Sequence, residues 1–74
     1  MSNYKFGINE NKELTERELI VLRKMSMGLS NKQIAKELFV THHTIKAHVS
    51  GIYKKLDVTN RVEASMKARD LGLL

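Results

Sequence analysis

The chain has 74 residues, with 13 Lys and Arg against 8 Asp and Glu, a formal net charge of +5 and a sequence pI near 9.8. That length admits one domain with one small core and excludes a multi-layer α/β enzyme with a deep cleft, because a chain this short hides only about 60% of its unfolded surface. Cysteine is absent and the longest apolar run is the four residues from Leu19 to Leu22, so disulfides, thiolate metal sites and a transmembrane helix of about 20 apolar residues are excluded; a soluble cytoplasmic protein is expected.

Residues 1–13 are rich in Asn, Lys and Glu. Tyr4, Phe6 and Ile8 alternate with Lys5 and Gly7 as in a short strand, but no partner strand follows, so this segment reads as a flexible arm or linker remnant. The domain proper is expected over 14–74. Its first helix, about 15–27, opens on the capping box Thr15-Glu16-Arg17-Glu18, carries Leu19, Leu22 and Met25 at helical spacing, and stops at Gly28. Arg23 and Lys24 read as solvated surface, and Met25, Met27 and Met66 as packing residues.

Ser30-Asn31-Lys32-Gln33 is a second capping box, opening a short second helix with Ile34, Ala35 and Leu38 as its buried stripe. Phe39 and Val40 form a turn, and Thr41 caps a third helix over about 42–56. Asp57 stands where that helix needs a left-handed residue. Asn60-Arg61-Val62-Glu63 has the capping-box layout again, and the fourth helix runs to about Leu71, where Gly72 stops it. Four capped helices with short turns predict an all-α, compact four-helix domain.

The charge is not spread evenly. Residues 30–56 hold five lysines against Glu37 alone, net +4, whereas 1–29 are net +1 and 57–74 net 0. At about 100° per residue, Ile45, Val49, Ile52 and Leu56 fall on one stripe of the third helix. His43, Ala47, Ser50, Gly51 and Lys54 fall opposite, with Lys46 on one flank and Thr44 and Lys55 on the other. An ordinary solvated face mixes Glu and Lys; this one has no acid between Thr41 and Leu56. Small residues let a backbone approach closely, and Ser, His and Lys can reach base edges in a DNA major groove. The amino-terminal ends of the second and third helices suit phosphate, with Ser30, Asn31 and Thr41 beside them. Helix, short turn and reading helix form a helix-turn-helix plan.

The residues also resemble a family. Leu14-Thr15-Glu16-Arg17-Glu18, Gly28-Leu29-Ser30-Asn31-Lys32-Gln33-Ile34-Ala35 and Thr44-Ile45-Lys46-Ala47-His48 are similar to the LuxR-type (GerE-like) DNA-binding domain of bacterial transcription regulators. The likeness continues through Lys55-Leu56, Val58, Arg61 and Ala64 to Leu71-Gly72-Leu73, covering about 14–74. The resemblance implies a sequence-specific regulator that binds double-stranded DNA as a homodimer, stand-alone or as the output domain of a response regulator, with RNA polymerase as a further partner. It implies base-facing roles for Lys46, Ala47 and Ser50, phosphate-facing roles for Asn31, Lys32, Thr44 and Lys55, and a dimer contact on the fourth helix. Three departures stand out: Asp57 replaces the usual Gly, Ala47 and Ser50 are short, and Thr41-His42-His43 makes the entry to the third helix more cationic when protonated.

The remaining candidates are weighed one by one. His42 and His43 point about 100° apart, and His48 follows His43 by five residues rather than the four of a helical zinc pair, so no metal is expected and no cofactor is implied. His43 reads as a base contact, and Ser30, Thr41, His42 and Lys54 as phosphate contacts; His48 reads as packing and hydrogen bonding beside the core. On the fourth helix Ala64, Ala68 and Leu71 share one side, and Val62 and Met66 lie opposite, so Val62, Met66 and Arg69 are assigned to a dimer contact. The alternative function is a protein-interaction module using the first and fourth helices. An enzyme such as a small nuclease is not expected, since no carboxylate cluster or acid/base pair is present.

Overall fold

The structure, a computed structural model, describes residues 13–74. The arm expected over 1–13 lies outside the described residues except for Glu13. Four helices follow: α1 (Glu16–Ser26), α2 (Asn31–Leu38), α3 (His42–Leu56) and α4 (Arg61–Asp70). Every start is a side-chain cap. Thr15 Oγ1 accepts from Glu18 N–H and Ser30 Oγ from Gln33 N–H, each with the reciprocal bond that completes a capping box. Thr41 Oγ1 accepts from Thr44 N–H. Asn60 Oδ1 caps Glu63 N–H, but the fourth box is not reciprocal as expected: the Glu63 carboxylate takes the N–H and hydroxyl of Thr59 instead.

Every stop uses one device. A residue with left-handed φ ends the helix, and the next N–H reaches back five residues to a carbonyl. The pairs are Gly28 and Leu29, Phe39 and Val40, Asp57 and Val58, and Gly72 and Leu73. The second member is apolar each time. Leu29, Val40 and Val58 pack against the core, and Leu73 is buried in it. Glycine fills two of the left-handed positions without strain; Phe39 (φ 58°) and Asp57 (φ 59°) do not have that freedom. The Phe39 side chain is 94% exposed, so shortening it removes no packing. Phe39→Gly is therefore expected to raise the unfolding free energy by about 1 kcal/mol, and Asp57→Gly by less, because Asp tolerates this region better. Urea unfolding of the two variants checks the ranking.

The core consists of Val21, Leu22 and Met25 of α1, Ile34 and Ala35 of α2, Ile45, Val49, Ile52 and Leu56 of α3, Ala64 and Ala68 of α4, and Leu73. The stripe expected on α3 is the buried one, and both α1 and α3 pack against every other helix. Polar ties cross the surface. Lys24 Nζ meets Glu37 Oε1 at 2.6 Å and Arg23 Nε donates to the Leu73 carbonyl at 3.0 Å, so these two side chains are interhelix and terminal ties rather than free solvated charge. Met25 packs as expected, but Met27 lies exposed one step past the end of α1. No described helix is long and apolar enough to cross a membrane.

Candidate nucleic-acid interface

The buried stripe of α3 fixes what its other side can show. With Ile45, Val49, Ile52 and Leu56 turned inward, His43, Lys46, Ala47, Ser50 and Lys54 are all exposed. Along this face Ala47 and Ser50 are the short side chains, with His43 before them, Lys46 on the flank and Lys54 beyond. Among the described residues neither Lys46 nor Lys54 meets a carboxylate.

The other flank differs from the expectation. Gly51 does not serve the outward face. A Cβ at this position would stand 2.8 Å from Glu18 Oε2, so its missing side chain makes room for the α1 carboxylate. Lys55, one turn further, places its ammonium 2.7 Å from Glu18 Oε1. Lys55, expected at a phosphate, thus neutralises a buried carboxylate of its own chain. The reason is geometric, since Gly51 and Lys55 are four residues apart and share the side of α3 that packs on α1. Thr44 lies on the same flank and is half-buried, with its hydroxyl 2.9 Å from that of Thr41. His48 is half-buried, in keeping with its place beside the core.

Glu18 thus closes the α1 capping box and anchors the far end of α3. Burial by itself pushes its carboxyl up; the bonds from Lys55 and from the Thr15 N–H, with the Lys55 charge, outweigh it and hold the group below its ordinary value of 4.5. A carboxyl with a depressed folded pKa contributes stability that is complete above the unfolded value and is lost as the pH falls through the folded value. Urea midpoints are expected to hold from about pH 7 to about pH 5 and then fall, with a smaller fall in Glu18→Gln. Exposed Glu63 is held low by the N–H and hydroxyl of Thr59, and its contribution has the same sign.

The helix starts divide into two kinds. α1 begins with Glu16 and Glu18 and α4 has Glu63 in its first turn, so their positive dipole ends are met by their own acids. α2 and α3 have no acid in the first turn and carry Lys32, or His42 and His43, there instead. Their caps occupy only the third amide, Gln33 or Thr44. The amides of Asn31 and Lys32, and of His42 and His43, precede the first intrahelical bond and face no acid of their own helix. Such an end attracts an anion. Ser30, Lys32, Thr41, His42 and His43 are exposed around these two starts, and Asn31 is half-buried.

On α4, Ala64 and Ala68 are buried while Val62 is 68% and Met66 56% exposed, with Arg69 exposed on the same side. Arg61 has no role that the sequence alone makes visible. Its guanidinium donates to the Leu29 carbonyl and, at 3.2 Å, to Asn31 Oδ1. No sequence signal joins residues 61 and 31. Gly51, by contrast, had one: a glycine in a helix interior costs about 0.5–1 kcal/mol relative to Ala, which asks for a close approach by something.

Residues 12–68 match the model of the bacterial regulatory proteins of the luxR family, GerE. Among curated relatives, the glycerol metabolism activator of Pseudomonas putida is 52% identical over 58 residues, which are 78% of this chain and 26% of that protein. The transcriptional regulatory protein LnrK of Bacillus subtilis is 48% identical over 65 residues, 88% of this chain and 30% of the relative. The crystal structure of the response regulator ChrA of a heme-sensing two-component system superposes with a TM-score of 0.80 at 42% identity, covering 84% of this chain and 31% of that one. The chain thus spans about a third or less of the length of these relatives.

Proposed function

Because the chain belongs to the luxR family of bacterial regulatory proteins, we propose that it is the DNA-reading part of a transcription regulator, working in the cytoplasm as a binder and not as an enzyme. In this reading α3 lies in the major groove of double-stranded DNA. Lys46 donates to guanine O6 or N7, His43 and Ser50 reach neighbouring base edges, and Ala47 lets the helix sit close. Ser30, Asn31, Lys32, Thr41, His42, Thr44 and Lys54 hold the backbone phosphates. The observation that carries the reading is the acid-free outer face of α3, flanked by two helix starts whose positive ends are unmet by any acid of their own. Selection of bound duplexes from a random pool tests it. Recovery of one recurring motif supports sequence reading; recovery of unrelated sequences in proportion to input counts against it.

The relatives' longer chains support an output role downstream of another domain, with RNA polymerase as the eventual partner of the assembled regulator. The exposed apolar pair on α4 supports a homodimer through Val62, Met66 and Arg69. The selected motif is then a palindrome. Met66→Asp is expected to leave binding to a single half-site unchanged and to reduce binding to the palindrome to the half-site level. Sedimentation on and off DNA checks this; a dimer of wild-type strength in Met66→Asp removes α4 from the contact.

A further inference from the structure

Arg61 is the first residue of α4, yet its guanidinium works at the start of α2. The backbones of the two helices do not come close to each other, and this side chain reaches from one to the other. One nitrogen, Nη2, donates to the carbonyl of Leu29, just before the α2 cap; the other, Nη1, donates to Asn31 Oδ1 at 3.2 Å. A guanidinium carries five donors and no acceptor. The atom of Asn31 that faces it must therefore be the oxygen, and a flip of the carboxamide would set donor against donor. The Asn31 NH2 group is accordingly turned away from Arg61, and among the described residues it meets no protein acceptor. Asn31 is the first residue of α2, ahead of the Gln33 amide that Ser30 caps.

We propose that Arg61 is a positioning residue for phosphate binding: it locks the Asn31 carboxamide with its NH2 outward, ready to donate to a phosphate oxygen of duplex DNA. The inference rests on the DNA-binding reading above. It gives α4 a second duty beyond its exposed apolar face. The same residue that begins the proposed dimer helix holds a phosphate donor in place at the helix-turn-helix, so the pose of α4 and the grip of α2 are set together.

The test is a double-mutant cycle on a mixed-sequence duplex at low salt, read by fluorescence anisotropy, with thermal melts of each variant. Arg61→Met is expected to weaken binding by about tenfold, roughly what one hydrogen bond to a charged group contributes. In an Asn31→Ala background the same change is expected to cost less than about twofold, because the group being positioned is gone. Arg61→Lys keeps the charge but not the two-pronged fork, so it is expected to fall with Arg61→Met rather than with wild type. Asn31→Asp keeps an acceptor for Arg61, and its melting temperature holds or rises while its affinity drops at least tenfold.

Equal losses from Arg61→Met in both backgrounds overturn the proposal, since Arg61 then acts by its own charge or through the Leu29 carbonyl. Wild-type binding by Asn31→Asp overturns it as well, and decides the matter if Arg61→Met does not fold. A wild-type chain that binds no duplex removes the DNA reading itself and this inference with it. A wild-type chain that binds while the cycle is additive removes the inference alone.

Discussion

Glu18→Ala is expected to lower the unfolding free energy of the domain by about 2–3 kcal/mol. Removing one partner of a buried ion pair costs about 3–5 kcal/mol when the other charge is left dry. Here the Lys55 side chain keeps 26% of its exposure, so its ammonium can reach water and the cost falls toward the lower end. To this is added the capping bond that Glu18 Oε1 accepts from the Thr15 N–H at 2.9 Å. A domain of this size holds only about 3–9 kcal/mol in total, so the variant loses a large share. Glu18→Ala combined with Lys55→Met is expected to recover part of the loss, because no charge is then left without a partner. Urea unfolding of the four species measures the coupling. A single-mutant loss under about 0.5 kcal/mol, the ordinary surface range, would mean that the pair carries no structural weight.

Lys46→Ala is expected to weaken binding to the selected duplex by about 1–3 kcal/mol, roughly 5- to 150-fold. Lys46 is exposed and pairs with no described carboxylate, so its removal leaves the fold within about 0.5 kcal/mol of wild type. Any large loss therefore belongs to the complex. Binding to random duplex is expected to fall much less, because that binding rests on phosphates alone. Titrations against both duplexes at one salt concentration separate the two. An equal loss on both reassigns Lys46 from bases to backbone.

Most of the architecture was legible because it is written in short-range signals. Capping residues such as Thr15, Ser30, Thr41 and Asn60 act within one turn, and the stripe Ile45, Val49, Ile52, Leu56 repeats along one helix. The outward set of α3 follows from that stripe by rotation alone. What could not be read is what two distant segments do to each other. The sequence places Lys55 on a flank of α3 but does not show that Glu18, 37 residues earlier, lies against it. Gly51 looked like part of a smooth DNA-facing surface, when its smallness serves the same carboxylate. Arg61 and Asn31, 30 residues apart, meet only because α1 and α3 hold α4 and α2 in place. The sequence reads Phe39 only as a turn residue, whereas its left-handed backbone is the helix stop itself. The exposed side of α4 is legible in the sequence: Val62 and Met66 point out because Ala64 and Ala68 point in.

The four helix stops have a consequence for how the domain can be cut. Each stop is closed by an apolar residue, Leu29, Val40, Val58 or Leu73, whose resting place is the common core. None of the ends is therefore finished by local sequence alone. α2 has eight residues, well below the about 12–15 at which an isolated helix becomes even marginal in water. The minimal reading unit is thus the whole four-helix body: a peptide of α2, its turn and α3 carries every proposed base contact, yet is expected to be a coil, and grafting that segment elsewhere transfers the letters without the page they are printed on.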